Sequence, residues 1–265
     1  MLRRPGRRAA PFAGAGLAAL FALSGLRAGT GAPAEVWPLL RAARGTEALA
    51  LLAEGPATAE ARLARALALI HAQPVTRARI DEADTLLAGL AASEGASPLG
   101  LAARYQAGRL AELHPFAPDP ARAARLFREL HALAPEELLP QLALAKALRL
   151  EAGLEPSRLA ALAAEGADKL HAPPARLAHH LAFAGLAGEA GDHRRRLHHL
   201  QTAEQIGPVQ RAHRAAVTLG VAAAAERLGE AGLAREAYAR FVAEHPADNR
   251  THEAALRRDA LAPSP

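Results

Sequence analysis

The chain contains no cysteine. That excludes disulfides, thiolate metal sites, a cysteine nucleophile and lipid attachment through an N-terminal thiol. Aromatic residues make up only 3% of the sequence, with a single tryptophan, Trp37. Lysine is confined to Lys146 and Lys169, so nearly all positive charge is arginine, a bias that base composition explains more simply than selection for arginine chemistry. Serine is scarce as well. Beyond the first 34 residues only Ser93, Ser97, Ser157 and Ser264 occur, and none lies in the G-x-S-x-G setting of an activated nucleophile. Glycine motifs that cradle phosphate are missing, carboxylates have no telling arrangement, and period-two runs of β-branched residues are absent. These absences point to an all-α protein that is not an enzyme, with no cofactor and no metal.

What is present begins with residues 1–34, which read as an export signal. Arg3, Arg4, Arg7 and Arg8 form a basic stretch, Ala13 to Leu26 an apolar one, and Ala32, Pro33 and Ala34 a small-x-small cleavage site. The apolar stretch of 14 residues is short of the roughly 20 that span a bilayer, so a cleaved signal is expected, with a retained anchor as the alternative. The formal net charge of +5 is carried entirely by Arg3, Arg4, Arg7, Arg8 and Arg27, because the remainder balances acid and base. A nucleic-acid partner is therefore not expected, since that would need a cationic excess on one face.

The rest is dominated by Ala, Leu, Arg and Glu, which are strong helix formers. In one segment Leu63, Leu67 and Ile70 fall on a single stripe. Ser97-Pro98 and Asp119-Pro120 each place an N-cap residue before a proline at the first helical position, and Thr76, Ser157 and Asp192 read as further caps. Gly55, Gly95, Gly153, Gly191 and Gly229 read as stops. Together these predict helices over 58–72, 76–92, 98–113, 120–133, 136–152, 157–170, 174–190, 193–206, 209–229 and 232–244, with a shorter pair before Gly55 and a terminal helix after Asp248. The short connections predict antiparallel neighbours. One domain is expected over 35–261, with Trp37 covering its apolar end, followed by a frayed tail at 262–265.

Glycine, bulky apolar residue and proline also recur in one frame. Gly191, Leu200, Ala203 and Pro208 are each followed 38 residues later by Gly229, Tyr238, Phe241 and Pro246. The segment from Gly229 to Pro246 resembles the second half of a tetratricopeptide repeat, with Ala234 at the small position where two helices touch. In the same frame Gly153 and Leu162, then Ala123, Phe127, Leu130 and Pro135, mark earlier units, and Ala83, Leu87 and Leu90 a further one. Arg196 stands where a small residue belongs, Leu170 replaces a proline, and the period exceeds the family's usual length of about 34. The resemblance implies antiparallel helix pairs stacked into a right-handed superhelix, or solenoid, that binds an extended peptide along its first helices. On that pattern the inward positions are Tyr105, Gln106 and Arg109, then Lys146 and Arg149, then Glu226 and Arg227. Tyr105, Arg109, Lys146 and Arg149 would together suit a peptide with an acidic group.

Six histidines, His179, His180, His193, His198, His199 and His213, lie close together. His193 and His198 are about 140° apart around a helix, and no metal-binding pair at i, i+4 occurs. They read as partly exposed polar positions beside Arg194, Arg195 and Arg196. The expected function is that of a non-catalytic exported adaptor, periplasmic or extracellular, with a protein or peptide partner; a membrane is involved only if the signal is retained as an anchor. The alternative is an envelope protein that binds metal or an anionic polymer through this His/Arg-rich segment.

Overall fold

The computed structural model describes residues 31–53, 55, 57–207 and 211–262, and the side chains of 211–213 are not described. Most of the expected export signal, Pro208 of the repeat frame, the imidazole of His213 and the last three residues lie outside the described residues. Among the described residues all regular structure is helical. The chain divides between Asp119 and Pro120 into two compact units.

Unit 1 contains α1 (Val36–Arg41), α2 (Gly45–Leu52), α3 (Ala59–His71), α4 (Arg77–Glu94) and α5 (Pro98–Leu113). Helices α3, α4 and α5 pack successively as antiparallel neighbours, and α1 and α2 pack on α3. The stripe predicted on α3 faces inward: Leu63 and Leu67 are buried, and Ile70 half-buried. Thr76 and Ser97 cap α4 and α5 by accepting from the backbone N–H of Arg79 and Gly100. Trp37, on α1, is half-buried.

Unit 2 runs through α6 (Pro120–Leu133), α7 (Leu138–Leu154), α8 (Leu159–Lys169), α9 (Pro173–Glu189), α10 (His193–Ile206), α11 (Arg211–Arg227), α12 (Ala231–Glu244) and α13 (Thr251–Ala260). The recurring positions are core positions. Ala123, Phe127 and Leu130 on α6, Leu200 and Ala203 on α10, and Ala234, Tyr238 and Phe241 on α12 are all buried. Arg196 is accommodated by Gly188 on α9, where a Cβ would lie 2.9 Å from its guanidinium. Close helix approach is kept there by moving the small residue to the facing helix.

Helix α8 breaks the succession. Only 11 residues long, it follows a 3₁₀ turn at Pro156–Arg158, and α7 packs more extensively on α9 than on α8. Ser157 lies inside that turn and therefore does not cap α8; Gly153 lies within α7 and does not end it. Pro173 and Pro174 have no N–H to offer at the start of α9, and the preceding N–H groups of His171 and Ala172 donate instead to the buried Gln141 Oε1 on α7, at 2.9 and 2.6 Å. Arg128 ties α6 to both following helices, donating to Glu151 of α7 at 2.7 Å and Glu165 of α8 at 2.6 Å.

Candidate functional site

In unit 1 a cleft of about 510 Å³ opens between α1, α3, α4 and α5. Two helical stripes build most of it. Gln106, Arg109, Leu110 and Leu113 follow one another at i, i+3, i+4 and i+7 on α5, and Leu67, Ile70 and His71 at i, i+3 and i+4 on α3. Arg41 and Leu40 of α1, Val75, Ile80 and Pro115 complete the lining together with Ala43, whose positive φ of 55° turns the chain between α1 and α2.

The lining is mostly apolar, and its ionisable residues are Arg41, His71 and Arg109, with no carboxylate among them. Arg109 is half-buried, and its buried Nε has no hydrogen-bond partner. An unmet buried donor costs about 1–3 kcal/mol. Burial, and then the neighbouring Arg109 charge, lowers the pKa of His71, so this imidazole is neutral at pH 7. At the mouth, Leu113 is 54% exposed although it is a large aliphatic residue, and Phe116 just beyond it is 44% exposed.

The expected partner-binding residues fall in different settings. Gln106 and Arg109 share the cleft. Tyr105, just before them in sequence, is buried, and burial pushes its hydroxyl pKa up to about 12. Lys146 and Arg149 are half-buried one turn apart on α7, with the Lys146 ammonium 5.8 Å from the centre of the Phe127 ring. Glu226 accepts the Tyr238 hydroxyl at 2.7 Å and pairs with Arg257 at 3.0 Å, which ties α11 to α12 and α13. Arg227 is exposed at the end of α11. Sequence reasoning missed Arg41 and His71 as neighbours of Arg109, because only the packing of three helices distant in sequence brings them together.

The histidine-rich segment departs from its expected exposure. His179, His180 and His199 are buried, His193 is half-buried, and of the six only His198 is exposed among those described. The α9 and α10 faces that carry them also carry Phe183, Leu197 and Leu200, so the imidazoles lie within the core stripe. His180 Nδ1 and His199 Nδ1 meet at 3.0 Å, and His179 Nε2 lies 3.2 Å from the Ala163 carbonyl. A Cβ on Gly166 would stand 2.2 Å from the His179 ring, so this glycine makes room for it.

All three pKa values are held down at about 4. Burial is the main cause in each, followed by the adjoining charges: His180 for His179, His198 and Arg176 for His180, and the other histidines and Arg195 for His199. Among the described residues no group of three His, Asp or Glu is placed to hold a metal ion, and no helix is long and apolar enough to cross a membrane. No protein-family model, no curated protein and no solved structure matches the chain.

Proposed function

We propose that this protein is a non-catalytic adaptor of the tetratricopeptide-repeat type, exported to a periplasmic or extracellular compartment, that binds a protein or peptide partner along its first helices. The observation that carries this reading is the buried register of unit 2. Equivalent positions of α6, α10 and α12 fill the core in one frame, as the successive units of a helical array do. Lys146 and Arg149 on α7 and Arg227 on α11 supply positive charge suited to an acidic partner segment.

The test is affinity capture from the envelope fraction of the native cell with the full chain as bait, beside its Arg149→Glu and Arg227→Glu variants. Specific partners should be retained by the parent and lost from at least one variant whose helicity and melting temperature match the parent. Identical partner sets on parent and both variants, or no partner above an empty matrix, would sink the adaptor reading.

A further inference from the structure

The unit 1 cleft offers what one kind of small molecule requires. Its volume of about 510 Å³ is within the range of roughly 300–1,000 Å³ typical of small-ligand sites, with apolar walls and a few polar groups. A cation would meet Arg41 and Arg109 with no carboxylate to oppose them. A bare inorganic anion would leave the half-buried Ile70 and Val75 and the exposed Leu113 uncovered, and a neutral hydrocarbon would leave the Arg109 Nε donor unmet. A carboxylate can accept from Nε and from a terminal nitrogen of the same guanidinium at once, the strongest geometry open to an arginine. The exposed Leu113 side chain at the mouth extends the apolar wall outward.

We propose that this cleft binds a medium-chain aliphatic monocarboxylate, with its carboxylate on Arg109 and its chain along Ile70, Val75 and Leu113. Arg41 adds a second positive charge at the cleft, and the neutral His71 provides a further polar contact. The proposal goes beyond the adaptor reading and does not rest on it, because it uses none of the unit 2 residues on which that reading depends.

Isothermal titration of the full chain with decanoate and, separately, with decanol tests it. Decanoate should bind at one site per chain and at least tenfold more tightly than decanol, a difference of about 1.4 kcal/mol. Arg109→Gln should reduce decanoate affinity at least tenfold and leave decanol affinity unchanged. Leu113→Glu changes an exposed residue and so keeps the fold. It should weaken decanoate selectively by placing a like charge at the mouth, which gives a second reading if the arginine variant does not fold. Absence of decanoate binding, equal binding of acid and alcohol, or undiminished decanoate binding by folded Arg109→Gln or by Leu113→Glu would each overturn the proposal.

Discussion

Gly166 and His179 compete for one volume. In an ordinary helix Gly→Ala is favourable by about 1 kcal/mol, and Gly185 on α9, with open space around its Cβ position, should gain up to that amount as Gly185→Ala. Gly166→Ala should do the opposite. The His179 ring is held between α8 and Phe183, whose ring centre is 4.4 Å away, and overfilling such a site costs about 1–3 kcal/mol. Urea denaturation of the two variants beside the parent should therefore give midpoint shifts of opposite sign. Gln141 is a second residue-scale case. Gln141→Leu keeps its bulk but leaves two backbone N–H groups without an acceptor, and should destabilise by about 1–3 kcal/mol in the same measurement.

At the scale of elements, Arg128 joins three helices with one side chain. Its pairing holds the Glu165 carboxyl down at about 2, with Lys169 adding a 3.0 Å contact. Arg128→Met should cost about 2 kcal/mol, less than for a fully buried pair because the arginine side chain is 32% exposed. The thermal midpoint should fall accordingly, and Glu165 should titrate nearer the ordinary carboxylate range by NMR. The helices themselves were legible in the sequence. The predicted ranges 98–113, 120–133 and 193–206 coincide with α5, α6 and α10, because proline, capping residues and glycine act locally. Ser157 and Gly153 were misread where α8 is short and the chain enters it through a 3₁₀ turn, a feature set by packing and not by local signals. The buried histidines escaped notice for a related reason: residue type says polar, while their spacing with Phe183 and Leu200 puts them on the core stripe. Of the cleft residues the repeat resemblance singled out only Gln106 and Arg109, as peptide-contacting positions, and nothing local to Arg41 or His71 announces its partners.

For the whole molecule, the buried imidazoles set a pH dependence. Their pKa values are about 4 when folded against an ordinary 6.5, so between these limits the unfolded chain binds more protons than the folded one. The stability they contribute is therefore complete above about pH 6.5 and is lost as pH falls toward 4. Each shift is worth about 3 kcal/mol at most, so the melting temperature should drop steeply across that window. The paired variant His180→Leu, His199→Leu should flatten the slope, and a full-chain melting curve that stays level from pH 7 to pH 4 would contradict the burial of these rings. The direct packing of α7 on α9, with Gln141 holding the approach to the later helix, has a separate consequence. The exposed turn at Pro156–Arg158 is bracketed by a contact that bypasses it, so insertions within it would leave the packing of α7 on α9 in register, and natural length variation should concentrate there.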